Sequence, residues 1–155
     1  MLKCYTIFMK GFSLLEFIAM FAILFVITAI VVGGFVMFKR GNELTLAKEH
    51  TLSQLTEAKT RTLAAYQNAA WGTHMETDRV ILFKGSFVSG NQENETAMLP
   101  TDVEISSIAL NGGGSDVIIK RLTGSTDQYG TITLRLKNDP AKTRTITIES
   151  NGNFY

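Results

Sequence analysis

Residues 10–18 read KGFSLLEFI, a lysine and a glycine followed by an apolar run that contains Glu16. The run extends over residues 12–38, and Glu16 is its one formally charged residue. It exceeds the ~20 residues that a helix needs to span a bilayer. It is also too long for the apolar core of an ordinary secretory signal, and no A-x-A cleavage site follows it. We therefore expect a membrane-spanning helix over residues 12–38, preceded by a leader over residues 1–11.

The rest of the chain has the composition of a domain that faces water. Hydrophobic residues make up 45% of the 155 residues, but they are concentrated in the first quarter, and Thr, Ser, Asn and Gly are frequent from Lys39 onward. The formal net charge of +1 is no signature of a nucleic-acid-binding protein. Cys4 is the single cysteine, which excludes an intramolecular disulfide, and we interpret it as an incidental leader residue.

Residues 39–70 have a helical pattern with one face to bury. Apolar and small residues recur at spacings of three or four, which predicts an amphipathic continuation of the apolar helix. No proline interrupts residues 12–70, so we expect one continuous helix. Gly33 and Gly34 inside it indicate either a bend or close helix packing. The face expected to be buried consists of Leu44, Ala47, Thr51, Leu55, Ala58, Thr62, Leu63 and Tyr66.

Residues 71–155 favour a β-rich globular domain. Short runs typical of strands cover residues 79–84, 103–110, 117–122, 131–136 and 144–149, with 86–88 and 153–155 as weaker candidates. Turn signals separate them: a polar loop at 90–96, NGGGS at 111–115, NDPAK at 138–142 and Asn151-Gly152. The predicted fold class is therefore α+β, a long N-terminal helix packed on a C-terminal antiparallel β-sheet domain.

No arrangement of residues suggests catalysis. The sequence has no nucleophile–base pattern and no Cys/His cluster for zinc, so we expect no enzyme activity, no metal and no cofactor. His50 and His74 are far apart, and we interpret both as surface residues.

Basic residues near the C-terminus allow one further interpretation. They are candidates for a weak DNA-contacting surface, although solvated strand edges carry such residues routinely. The candidates are Lys120, Arg121, Arg135, Lys137, Lys142 and Arg144.

The segment KGFSLLE at residues 10–16, heading a long apolar helix, resembles the type IV prepilins, a family that includes the pseudopilins of type II secretion. The resemblance implies that a prepilin peptidase cuts between Gly11 and Phe12 and that Phe12 becomes N-methylated. It also implies a single-pass protein of the bacterial inner membrane, with the C-terminal domain outside the cytoplasm. The expected partners are other pilin or pseudopilin subunits, the prepilin peptidase and an inner-membrane assembly platform.

The resemblance gives Glu16 an assembly role. An unpaired carboxylate deep in lipid costs about 3 kcal/mol on insertion scales, but near a helix end it can reach the interface. In fibres of the family, helices bundle in a core that excludes water, where Glu16 would meet the amino terminus of a neighbour's Phe12. A buried charge that lacks its partner is penalised, so the pair would fix the axial register.

The C-terminal region resembles the H-type minor pseudopilins and related minor pilins, through VIIKRLTG, GTITLRL and RTITIESNGNF at residues 117–124, 130–136 and 144–154. The chain departs from many major pilins in lacking a cysteine pair. We therefore expect a structural subunit, a minor one, of a type IV pilus or type II secretion pseudopilus. The alternatives are a DNA-uptake minor pilin and a single-pass anchored binding domain that does not polymerise.

Overall fold

The computed structural model describes residues 14–155. The chain divides into two compact units, Met1–Phe38 and Lys39–Tyr155. Helix α1, Leu14–Leu63, contributes residues to both units and is helical through Gly33, Gly34 and Gly41. The predicted helix start at Phe12 lies outside the described residues.

Helix α1 ends at Leu63, earlier than the predicted end at residue 70. Ala65 has a φ of 50°, and this left-handed conformation stops the ladder of i→i−4 hydrogen bonds. A short 3₁₀ helix, Tyr66–Asn68, follows. Leu63, next to the buried Thr62 in the last turn of α1, and Tyr66, beyond the helix end, are both half exposed, so their predicted place on the buried face is wrong.

The remainder of the predicted buried face of α1 is confirmed. Two of its members are threonines whose buried hydroxyl groups each have a hydrogen-bond partner nearby. The Thr51 hydroxyl donates to the carbonyl of Ala47 at 2.9 Å, and the Thr62 hydroxyl accepts from the backbone N–H of Trp71 at 2.8 Å. The buried residues on this face are Leu44, Ala47, Thr51, Leu55, Ala58 and Thr62.

Seven strands form two antiparallel sheets. The sequence pattern predicted strands, but it did not predict that they divide into two sheets. In chain order the strands are β1 Trp71–Met75, β2 Arg79–Lys84, β3 Glu95–Met98, β4 Val103–Leu110, β5 Asp116–Ile118, β6 Gly130–Leu136 and β7 Asp139–Ile148. One sheet has the order β3-β2-β1-β5, and the other has the order β4-β6-β7. Strands β2 and β4 have the predicted bounds.

Strand β1 was not predicted, because Trp71-Gly72 resembles the end of a helix in sequence. It is an inner strand, and Gly72 makes its close packing possible. A Cβ at Gly72 would lie 2.7 Å from the carbonyl oxygen of Val117 and 2.8 Å from the ring of Phe83. Strand β3 begins inside the predicted 90–96 loop, residues 86–88 form no strand, and β5 ends at Ile118 instead of residue 122.

Strands β6 and β7 form a hairpin whose register sorts the side chains between two faces. Leu136 lies opposite Asp139, so the turn is at Lys137-Asn138, at the start of the predicted loop 138–142, and residues 139–142 belong to β7 instead. Ile132 and Leu134 are fully buried, and they alternate with residues that point away from the core. After β7, the backbone N–H of Gly152 donates to Glu149 and Phe154 bridges back to Ile148, as the Asn151-Gly152 turn predicted.

Candidate functional site

The first unit offers a largely apolar helix surface. Leu14–Phe35 has a mean hydropathy of 2.8 and is long and apolar enough to cross a membrane. Its large apolar side chains are exposed in this unit, and they can therefore contact lipid or other chains. The hydroxyl of Thr28 donates to the carbonyl of Leu24 at 2.8 Å, so this polar group is satisfied within the helix.

Glu16 lies in the first turn of the described helix α1 and is the acidic residue of that turn. Its side chain is exposed, and it forms no ion pair with any basic side chain that the structure describes between Leu14 and Tyr155. A carboxylate in such a position needs either the membrane interface or a cationic partner. The expected cleavage and methylation residues, Gly11 and Phe12, lie outside the described residues.

In the second unit, Arg61 joins α1 to strand β3. Its guanidinium contacts Glu57 on the same helix at 2.6 Å and binds Glu95 through two hydrogen bonds of 2.5 and 2.9 Å. It also lies 4.8 Å from the ring centre of Trp71. The hydrogen bonds from Arg61 hold the pKa of Glu95 below its usual range, and those bonds raise the pKa of Arg61. The i,i+4 spacing of Glu57 and Arg61 was the one sequence signal for this cluster.

Two of the six candidate DNA-contacting residues lie in the loop after β5. The Lys120 ammonium group contacts Asp127 at 2.7 Å. Arg121 donates to the backbone carbonyl of Asn68 at 3.0 Å and to its side-chain oxygen at 2.6 Å. Both cations are therefore engaged with acceptors inside the unit.

The other four candidates lie on the β6–β7 hairpin, and each has a partner within the unit. Arg135 contacts Glu104 at 2.6 Å, and Lys137 donates to the carbonyl of Thr101 at 2.7 Å. Lys142 lies 3.5 Å from Asp139, and Arg144 donates to the carbonyl of Thr143 at 3.2 Å.

The six cations fall into two groups at opposite ends of the β4-β6-β7 sheet. The Lys120 loop is attached beside the end of β7, since Thr126 donates to the carbonyl of Ser150 at 3.0 Å. Lys137 instead forms the turn that begins β7. The structure thus does not bring all six residues together.

The two histidines lie on different elements. His50 is an exposed residue of α1. His74 lies on β1, where its Nδ1 is 2.5 Å from a carboxylate oxygen of Asp116 and its ring stacks on Phe87 at 3.7 Å. Over residues 14–155, no group of three or more potential metal ligands is present. The sequence pattern contained no signal for the contact between His74 and Asp116, because 42 residues separate them.

Comparison with protein-family models and with curated proteins found no match for this chain. Comparison with solved structures found a similarity to the minor pseudopilin EpsH from the type 2 secretion system of Vibrio cholerae. The two have 11% sequence identity and a TM-score of 0.53, over 73% of this chain and 94% of the EpsH chain. The chain has the pseudopilin fold.

The pseudopilin fold confirms the predicted α+β class and, at the level of fold, the resemblance that the residue 10–16 motif indicated. It accounts for the order of the elements, an apolar N-terminal helix followed by antiparallel sheets. At 11% identity the similarity concerns the backbone, and the roles of individual residues must be argued from this chain alone.

Proposed function

We propose that this chain is a non-enzymatic structural subunit, a minor one, of a type IV pilus or type II secretion pseudopilus. The observation that carries the proposal is Glu16, placed in the first turn of an apolar segment in a chain that has the pseudopilin fold. A membrane anchor alone has no need of a carboxylate there. An assembling helix does, because the carboxylate can select its neighbour's position.

The proposed subunit is made as a precursor in the bacterial inner membrane, with its second unit outside the cytoplasm. Prepilin peptidase cuts between Gly11 and Phe12, and Phe12 is N-methylated. The apolar segment then holds the subunit in the membrane until the assembly platform passes it to the fibre. Its partners in this process are other pilin or pseudopilin subunits.

Glu16 acts in this proposal through charge pairing across two subunits. Waiting in the membrane, its carboxylate reaches the interface from the helix end. In the fibre, it accepts a hydrogen bond from the positively charged amino terminus of Phe12 on an adjacent subunit. Breaking a buried pair by removing one member costs roughly 3–5 kcal/mol, so a mispaired register is disfavoured.

The alternative functions have less support from the described residues. A DNA-uptake surface requires uncompensated positive charge, whereas Lys120, Arg135 and Lys142 each face a carboxylate within the unit. A single-pass anchored domain that never polymerises explains the apolar segment but assigns no role to Glu16.

The decisive experiment is to follow the full-length protein in cells that carry its own secretion or pilus system. Fibres are sheared from the surface, and the protein is quantified in the fibre and membrane fractions. We expect it in both. Its absence from fibres, under conditions where other subunits are recovered there, would refute the fibre role and favour an anchored domain.

A further inference from the structure

The sequence contains two Asn-Gly pairs, and both lie in turns. Asn111-Gly112 begins the glycine-rich connection between β4 and β5, and Asn151-Gly152 follows β7. In such a pair the backbone nitrogen of the glycine can attack the side-chain carbonyl carbon of the asparagine. Glycine favours this attack, because it has no Cβ to block the approach and its backbone rotates freely. The fold decides whether either pair can reach the geometry that the attack requires.

The Asn111-Gly112 pair is open to solvent. Both residues are exposed, and a Cβ placed at Gly112, Gly113 or Gly114 would meet nothing within 4 Å. Among the described residues, the N–H of Gly112 has no hydrogen-bond acceptor and the side-chain oxygen of Asn111 has no donor. The backbone on the C-terminal side of Asn111 can therefore rotate without losing a contact of the attacking nitrogen.

Two hydrogen bonds position Asn111 itself. Its backbone N–H donates to the carbonyl of Tyr129 at 2.8 Å, and its side-chain amide donates to the carbonyl of Asp127 at 3.0 Å. Neither bond uses the nitrogen of Gly112. The side-chain carbonyl carbon of Asn111 is therefore held in place while the nitrogen that would attack it is free to approach.

The Asn151-Gly152 pair has the same chemistry, but the fold holds it on both sides. The N–H of Gly152 donates to the carbonyl of Glu149 at 2.9 Å, and the side-chain oxygen of Asn151 accepts from the N–H of Asn153 at 2.9 Å. The side-chain amide of Asn151 also donates to the Glu149 carboxylate at 2.9 Å. Gly152 is buried, and a Cβ there would overlap the carbonyl oxygen of Gly124. Attack by the nitrogen of Gly152 would have to break these bonds in a place without room for rotation.

We propose that Asn111 is a site of spontaneous deamidation in the folded protein and that the fold protects Asn151 from the same reaction. The nitrogen of Gly112 loses its proton to hydroxide and forms a bond to the side-chain carbonyl carbon of Asn111. The bond from that carbon to the amide nitrogen breaks, and the nitrogen takes a proton from water and leaves as ammonia. Water then opens the five-membered succinimide ring at either carbonyl, which gives aspartate or isoaspartate. Water is the co-reactant, and nothing is oxidised or reduced.

Conversion of Asn111 changes a contact between two loops. The amide that donates to the carbonyl of Asp127 becomes a carboxylate, which can only accept. Two acceptors then face each other, and a negative charge is added next to Asp127. Isoaspartate also lengthens the backbone of the connection that joins the two sheets. We expect residues 111–115 and 125–129 to loosen while the paired strands keep their register, since Asn111 and Gly112 lie outside the core.

Ageing of the purified full-length protein in detergent tests the site. Folded samples are kept at pH 8, and mass spectrometry of their peptides follows the amide-to-acid conversion at both positions. We expect aspartate and isoaspartate at position 111, and conversion at least about tenfold slower at position 151, where several hydrogen bonds must break first. In urea both positions should convert at similar rates. Conversion of Asn151 as fast as Asn111 in the folded protein, or an Asn111 that stays unmodified there, would overturn the proposal.

Asn111→Gln supplies the matched control. Glutamine keeps the amide donor, but its longer side chain cannot form the five-membered ring, so conversion in this peptide should stop while that at Asn151 is unchanged. Conversion that persists in the same peptide would belong to another residue and would refute the site.

Hydrogen exchange tests the consequence for the two loops. Aged parent protein should exchange faster than fresh protein in residues 111–115 and 125–129, and equally in β6, whereas aged Asn111→Gln protein should match the fresh sample. Unchanged exchange in both loops of the aged parent would refute the loosening. These measurements need no fibre, so their outcome is separate from that of the proposed function.

Discussion

Arg61 on helix α1 and Glu95 on edge strand β3 form a two-bond ion pair, with nitrogen–oxygen distances of 2.5 and 2.9 Å. The pair joins residues 34 positions apart and fastens the helix to the sheet. Arg61 also packs against Trp71, so its planar guanidinium face contributes to the stability of the unit in addition to its charge.

The pair gives the second unit a defined dependence on pH. Arg61 lowers the pKa of Glu95 in the folded state, so the pair stabilises fully above the ordinary glutamate pKa of about 4.3. The stabilisation is lost as the pH falls through the lowered folded-state pKa. Because the side chain of Glu95 is 56% exposed, Glu95→Gln should lower the free energy of unfolding by no more than about 1 kcal/mol at pH 7. Unfolding at pH 7 and pH 3 should show the difference between parent and variant shrinking in acid; a constant difference would contradict the role of the charge.

Gly72 should tolerate no side chain. In Gly72→Ala the new methyl would meet the carbonyl oxygen of Val117 at 2.7 Å, and such overpacking typically costs about 1–3 kcal/mol. The control is Gly41→Ala, since a Cβ there meets nothing within 4 Å and alanine favours a helix. We expect a lower melting temperature for the first variant and an unchanged or higher one for the second. Equal melting temperatures would show that β1 and β5 can separate without cost.

The second unit should fold without the apolar segment. A protein truncated to begin at Asn42 retains the buried face of α1 and both sheets, which together form the core. We expect it to be soluble and to unfold cooperatively in urea. If the truncated protein is insoluble, or unfolds without cooperativity, under several conditions, the independently folding unit does not begin at Asn42.

Processing tests the proposed leader. Gly11→Val should block trimming, because a branched side chain should not fit a site shaped for close approach to the backbone. N-terminal sequencing of the mature parent should begin at Phe12. The control Gly41→Val should be trimmed normally, and an intact Met1 in assembled parent protein would refute the cleavage site.

Glu16→Gln tests charge pairing in the fibre. The variant should insert into membranes at least as well as the parent, since it carries no charge into lipid. It should also be trimmed normally, because Gly11 is unchanged. It should enter sheared fibres poorly, since a neighbour's amino terminus would be buried without its counter-charge. Glu49→Gln, an exposed glutamate of α1, is the matched control and should assemble as the parent does. Equal incorporation of both variants would remove the electrostatic role of Glu16.

The sequence by itself determined the features that depend on local periodicity. The apolar run, with Glu16 near its start, can be recognised from composition and length alone. It indicated the fold family without any knowledge of tertiary contacts. The buried face from Leu44 to Thr62 follows from the 3.6-residue period, and β2 and β4 follow from their apolar, β-branched content.

Tertiary structure alone decided the features that join distant residues. Strand β1 exists because Gly72 lets Val117 and Phe83 approach, and the division into two sheets depends on which strands pair. The Arg61–Glu95 pair likewise arises where helix α1 and strand β3 meet. A local pattern fixes which face of an element is apolar but not which distant element covers it, because pairing is set by the energy of the whole core.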